Sequence, residues 1–362
     1  MSNLDDLSIV REVDKQGMIE RAAKYPEQFL CGYRAGREVG REAYLEGVER
    51  VVFCGMGGSS AAALVLCDLL EDAVTPLFVH QGYGIPGVAR SKTALCVIVS
   101  YSGNTEETLT ALRACLMYGV RVVCMSSGGI LGEVARKQSL PWIRLPEGIA
   151  PREALPYMLG GLLGLLEQLQ MCGESLTLEL QRGFEKGVQS CRMEVRTEDN
   201  PAKQLAERLR YSRHIHVLGV RRMRGVAARV AAQLNENAKL FATHFFLPEF
   251  NHNEIVGLIE GEAENTCLLL LPPPPKNLEP YDELVDLLRL KGVNMISLDI
   301  EPTTTTEAEH VAYCLCTGDY ASMYLAVLRG RNPYPVVSIS ELKKCMKERK
   351  LWKQLVAFLS NL

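Results

Sequence analysis

Two short stretches of small donors could do chemistry together: Gly55-Met56-Gly57-Gly58-Ser59-Ser60 and the run SYSGNTEET at 100–108. Each follows an apolar run and precedes a helical pattern. Helix N-termini present unpaired backbone N–H groups and a partial positive charge, a ready site for a small anion. Hydroxyls add further donors, so Ser59, Ser100, Ser102 and Thr105 are candidates to cradle a phosphate without lysine. Gly55, Gly57 and Gly58 let the backbone turn sharply and let a ligand approach closely.

Two familiar phosphate loops do not fit. In a dinucleotide fingerprint the third glycine position would be Ser60, and His80 stands where a ribose-binding acid belongs. No Gly-Lys-Ser/Thr follows the first turn, which excludes a Walker A loop. The competing reading is capping: Asn104-x-x-Glu107 has capping-box spacing, and Ser and Thr are ordinary near helix starts. Glu106 and Glu107 would also repel a phosphate if they pointed inward.

The elements that must position these loops alternate. Strand VVFCG leads into helix SAAALVLCDLL; strands PLFVH, LCVIV, RVVCM and WIRL follow, with helix TEETLTALRACLMYG among them. This is the pattern of a doubly wound parallel sheet, in which both loops lie at the carboxyl edge where ligands bind. A second cycle runs through strands HIHVLG, THFFLP, TCLLLLPP and VNMISLDI, with helices RGVAARVAAQLNENAK and YASMYLAVLRG. Its element order repeats the first and points to internal duplication. The fold class is therefore α/β, with two doubly wound parallel-sheet domains and extra helices at both ends. The expected boundaries are an N-terminal helical segment at 1–48, a first domain at 49–150, connecting helices at 151–212, a second domain at 213–330 and a C-terminal helix at 331–362. Stretch 150–173 should be a loop entering a buried helix, because its pattern is apolar nearly all round.

Composition narrows the classes. The chain is 47% hydrophobic and 23% charged, with a net charge of −3, so it carries no basic footprint for nucleic acid. No apolar stretch suggests a membrane span, and the start lacks a secretory signal pattern. Most of the twelve cysteines lie in apolar runs with no C-x-x-C pair, as expected for buried thiols in a reducing cytoplasm. Six scattered histidines form no metal-ligand set, so no metal site is expected.

With these motifs in hand, the sequence resembles sugar isomerase (SIS) domain proteins, and more narrowly the bifunctional phosphoglucose/phosphomannose isomerases. The matching stretches are GMGGSS (55–60), SYSGNTEET (100–108), APREALP (150–156), NENAK (235–239), LPEFNHNEI (247–255) and RGRNPYPVVSISELKK (329–344), in family order. The resemblance implies two SIS domains of flavodoxin-like three-layer type, a homodimer, no cofactor, and aldose–ketose isomerisation of a hexose 6-phosphate. Glucose 6-phosphate is the expected aldose. Mannose 6-phosphate is a second one that Val336 puts in question, since a related enzyme carries threonine there. Ser60 also departs from the family's usual glycine.

Such chemistry moves a proton between C1 and C2 through an enediolate. It needs a base, a group to stabilise the oxyanion and groups that open the ring. Match to NENAK makes Glu236 the base; on a helix it shares a side with Arg229 and Gln233, beside Val226, Val230 and Leu234. A surface pair with Arg229 is the alternative. Arg152, in APREALP, is the oxyanion holder by the same resemblance, against a salt bridge with Glu153. The resemblance assigns ring opening to His252, supplied to the neighbouring subunit's site, and to Lys343. Otherwise His252 is a solvated loop residue, and Lys343 with Lys344 a solvated face. Another SIS isomerase or a non-catalytic sugar-phosphate sensor are the competing functions.

Overall fold

The computed structural model describes residues 3–39, 42–261, 266–275, 277–298 and 304–362. The chain folds as two compact units. One comprises Glu27–Thr177 with Val336–Leu362, the other Met1–Pro26 with Leu178–Pro335. The N-terminal segment is thus shared: its first 26 residues belong with the second sheet and the remainder with the first.

The first unit is built on five strands: β1 (Arg50–Cys54), β2 (Leu77–His80), β3 (Ala94–Val99), β4 (Arg121–Ser126) and β5 (Trp142–Arg144). They lie in the order β2-β1-β3-β4-β5, and every pairing is parallel. β3 is buried along its whole length, as its uninterrupted apolar run requires in a sheet covered on both faces. Alternate residues divide the covering layers. Val52, Cys54, Cys96, Ile98, Val122 and Cys124 share a core with Leu109 and Leu112 of helix Glu106–Tyr118 and with Leu131 and Val134 of helix Gly129–Lys137. On the opposite face, helix Leu155–Gln168 is buried from Leu155 to Leu166 except at Tyr157, as its all-round apolar pattern demands. There it crosses helix Tyr25–Glu38 with backbones nearly in contact: a Cβ on Gly160 would overlap the Phe29 carbonyl, and one on Gly32 the Tyr157 carbonyl. The result is the three-layer α/β sandwich expected.

The C-terminal stretch, expected as one helix, is two: Val337–Lys347 and Lys350–Ser360. The break falls at Glu348-Arg349, and only the second helix reaches the core, where Leu355 and Leu359 are fully buried. The apolar residues of the first, Val337, Ile339 and Leu342, stay exposed.

The second unit holds β6 (His214–Gly219), β7 (Ala242–Phe246), β8 (Thr266–Leu270) and β9 (Met295–Ser297) in the order β7-β6-β8-β9, again all parallel. That order repeats β2-β1-β3-β4, in line with the duplicated element pattern. The expected strand VNMISLDI ends in Asp299 and Ile300, which lie outside the described residues, as do Gly40 and Arg41 of the N-terminal segment. Helix Glu307–Leu328 begins well before the expected YASMYLAVLRG. Its start signal is in the sequence: Thr306 caps the Glu309 N–H at 3.3 Å, and Glu309 reaches back to the Thr305 N–H and hydroxyl. At 22 residues, with an 18-residue window of mean hydropathy 1.3, it is long and apolar enough to cross a membrane, contrary to the expectation from sequence. It runs instead through the core of this unit, with 94% of that window buried. All twelve cysteines are free thiols, most of them buried.

Candidate functional site

Strand order places the two donor loops side by side. β1 and β3 are neighbours, so the turn after Cys54 and the loop after Val99 leave the same edge of the sheet. The helix after β1, Gly58–Leu69, packs on Leu155–Gln168; the helix after β3 packs in the other layer. In a sheet of this order, a crevice opens where successive connections depart to opposite faces.

Gly57 holds φ at +53°, a conformation L side chains rarely adopt, and swings the chain into the helix. Ser59, buried in that first turn, accepts the Tyr101 N–H at 3.2 Å and so ties the turn to the second loop. Within that loop the Ser100 and Thr105 hydroxyls lie 3.0 Å apart, and Gly103 N–H closes a turn on the Ser100 carbonyl at 3.0 Å.

The capping alternative fails for this loop. The helix starts at Glu106, with Thr105 at the cap position making no side-chain cap hydrogen bond. Asn104 is used elsewhere: its amide donates to the Ser102 carbonyl at 3.0 Å, and its carbonyl oxygen accepts from Ile130 N–H at 3.1 Å. Ser102 Oγ accepts the Asn104 N–H at 3.3 Å. Glu106, the first residue of that helix, is buried, and Tyr83 and Arg349 both donate to one of its oxygens. Ser60 fits without strain, donating to the Gly57 carbonyl at 2.9 Å and accepting from Gln81 at 2.8 Å.

Arg152 belongs to the same neighbourhood. A Cβ on Gly58 would lie 3.5 Å from the Arg152 Cα, so the APREALP loop runs against the glycine turn. Arg152 is 3% exposed, and the Glu153 carboxylate beside it accepts the Ala150 N–H at 2.9 Å. Tyr101, to which sequence reasoning gave no role, sets this approach. Its hydroxyl donates to the Pro146 carbonyl at 2.9 Å and accepts the Ile149 N–H at 3.3 Å, and burial pushes its pKa up. An aromatic residue inside a hydroxyl-rich loop was the available signal. Ser59, Ser100, Ser102, Thr105 and Arg152 are thus brought together in the first unit. Lys343 belongs to that unit too, on the exposed helix Val337–Lys347.

Glu236 and His252 belong to the second unit. Glu236 is the last residue of helix Arg224–Glu236 and is half-buried, with Arg229 and Gln233 buried on the same side. The flanking asparagines fix this helix end. Asn235 donates to the Ala231 and Ala242 carbonyls and accepts the Ala242 N–H; Asn237 donates to Ser322 Oγ at 2.9 Å. Arg229 is not on the surface, where a pair with Glu236 was the alternative. It is buried and grips Asp319 through Nε at 2.9 Å and Nη2 at 2.7 Å, while Tyr25 donates to the same carboxylate at 2.9 Å. The Asp319 and Glu236 charges both hold the guanidinium pKa up against the opposing effect of burial. His252 ends a short 3-10 turn, Glu249–His252, and is exposed.

Comparison with known proteins gives the family and the fold. Residues 198–346 match the family model described as bacterial phospho-glucose isomerase C-terminal SIS domain. A bifunctional phosphoglucose/phosphomannose isomerase of Caldicellulosiruptor bescii is 32% identical over 92% of this chain and all of its own length. The protein of the same description from Aquifex aeolicus is 30% identical over 82% of this chain and 90% of its own. Among solved structures, a hypothetical protein of Thermus thermophilus shares the fold with a TM-score of 0.73 at 16% identity, covering 94% of both chains. The chain belongs to the bifunctional phosphoglucose/phosphomannose isomerase family.

Proposed function

We propose that this chain interconverts glucose 6-phosphate and fructose 6-phosphate through an enediolate, using side chains alone, with mannose 6-phosphate as a second aldose. Ser59, Ser100, Ser102 and Thr105 hold the phosphate together with the N–H groups at the two helix mouths. Binding that remote, unreactive group positions C1 and C2 for proton transfer. His252 and Lys343 pass the proton that opens the ring; imidazole can both donate and accept one. Glu236 takes the proton from C2 of the open aldose and returns it to C1, while the O2 hydroxyl proton passes to O1, which yields the ketose; the reverse order consumes it. The permanently charged Arg152 stabilises the enediolate oxygen in between.

The observation that carries this reading is the Ser59–Tyr101 hydrogen bond, which holds both hydroxyl-bearing loops at one sheet edge. The loop after β3 does not use its Thr105 or Asn104 side chain as a helix cap, which leaves the anion reading in place. The relatives' printed activities, phosphoglucose and phosphomannose isomerase, supply the substrate class. A homodimer in which His252 serves the neighbouring subunit belongs to the same proposal. In its favour, helix Glu254–Glu260, just after His252, and helix Val337–Lys347, which carries Lys343, bury none of their residues. Residues 49–150 and 213–330 are read as the two SIS domains.

Incubation with fructose 6-phosphate, followed by NMR of the products, tests the function. Glucose 6-phosphate together with its C2 epimer is the expected outcome. Glucose 6-phosphate alone would limit the activity to one aldose, and no conversion would sink the isomerase reading.

A further inference from the structure

The C-terminal tail contributes a charge that the family motifs do not account for. Glu106 is the first residue of helix Glu106–Tyr118, adjacent to Thr105, and is 3% exposed. Its Oε1 accepts from Tyr83 Oη at 2.9 Å and from Arg349 Nη1 at 3.0 Å, while Oε2 is buried with no hydrogen-bond partner. Arg349 stands at the N-cap position of helix Lys350–Ser360 without capping it through its side chain, and Leu355 and Leu359 anchor that helix in the core. Further contacts fasten the tail: Lys137 Nζ donates to the Ser360 carbonyl at 3.1 Å, and the Arg113 guanidinium lies 5.5 Å from the Phe358 ring centre. Arg349 is therefore not needed to dock the helix. It delivers a positive charge to a buried carboxylate at the mouth of a helix.

A carboxylate in the first turn suits the helix dipole but cancels the positive potential that an anion would meet there. We propose that Arg349 is a positioning residue for phosphate: it neutralises Glu106, so that the mouth beside Thr105 keeps its affinity for the substrate's phosphoryl group. The proposal rests on the phosphate reading of the hydroxyl loops given above.

The test is calorimetric titration of the full chain with inorganic phosphate, in the wild type, Arg349→Ala, Glu106→Gln and the double variant. Arg349→Ala should weaken phosphate binding about tenfold, or ~1.4 kcal/mol, and raise KM for fructose 6-phosphate with kcat little changed. Glu106→Gln should bind at least as well as the wild type. The double variant should return to within about twofold of Glu106→Gln, because the charge that Arg349 offsets is gone. A purely structural role would not be rescued by removing that charge. A double variant as weak as Arg349→Ala would overturn the proposal, as would an Arg349→Ala that binds phosphate normally. Should Arg349→Ala fail to fold, Arg349→Gln keeps a donor without the charge and enters the same comparison. A wild type that binds no phosphate would sink the phosphate reading itself, whereas a binding wild type with an unrescued double variant sinks only the role of Arg349.

Discussion

The hydroxyl of Ser59 accepts the backbone N–H of Tyr101 at 3.2 Å, joining the turn after β1 to the loop after β3. The same Tyr101 braces Pro146 and Ile149, which lead to Arg152. One serine thus serves the geometry of both donor loops. Replacing it with alanine removes this tie and one candidate phosphate donor. Hydrogen bonds to charged groups contribute about 1.5–3 kcal/mol, so Ser59→Ala should raise the inhibition constant of inorganic phosphate roughly ten- to a hundredfold. KM for fructose 6-phosphate should rise more than kcat falls. Unchanged phosphate inhibition would remove Ser59 from the cradle.

Glu236→Gln keeps the shape of the side chain and its helix-end setting but removes the base. General-base catalysis is worth about 10²–10⁴-fold, so kcat should fall by that order while phosphate inhibition stays within about twofold. In D2O the wild type should place deuterium at C2 of the aldose product, and the variant should not. If His252 serves the neighbouring subunit, co-expressed Glu236→Gln and His252→Ala chains should regain on the order of a quarter of wild-type activity. Half of the dimers would then be mixed, each with one intact site. No recovery in mixed dimers would place both groups on one chain.

Arg229 and Asp319 form a buried, two-bond ion pair that underlies helix Arg224–Glu236. Removing one partner strands a charge in the core, so Asp319→Ala should cost about 3–5 kcal/mol in denaturant unfolding. The double replacement Arg229→Met with Asp319→Leu should recover most of that loss. Equal losses in single and double variants would show that the pair itself, rather than the stranded charge, carries the stability.

Burial holds His216, His244 and His310 below the usual imidazole range. His310, 4% exposed, has Nε2 at 2.9 Å from the Pro272 carbonyl. The unfolded chain binds protons more readily than the folded one, so these groups favour folding fully only above the unfolded value of ~6.5. Stability should decline as pH falls from about 7 to 5.5, on the neutral side of carboxylate titration. His310→Gln should flatten that decline in a Tm-versus-pH series, whatever it does to Tm at pH 7. An unchanged slope would show that His310 contributes nothing to the acid sensitivity.

Strands and loops were legible in the sequence. Apolar runs such as 95–99 read as fully buried strands because periodicity and β-branched content are local properties. The glycines and hydroxyls of 55–60 and 100–108 marked the donor loops for the same reason. The start of helix Glu307–Leu328 is also legible, in the Thr306–Glu309 spacing, although the pattern alone marked a helix only from YASMYLAVLRG onward.

Which of several local options each side chain uses is settled by the packed layers. Asn104 had the spacing for a capping box, yet it turns to Ile130, a residue that reaches it only because β4 pairs with β3. Arg229 is buried and grips Asp319, 90 residues away in sequence, a partner that no local spacing announces. The Glu106–Arg349 pair spans 243 residues and left no trace in spacing. Charges and amides are promiscuous partners over short distances. Which partner wins depends on burial, and burial is a property of the assembled layers rather than of any one segment.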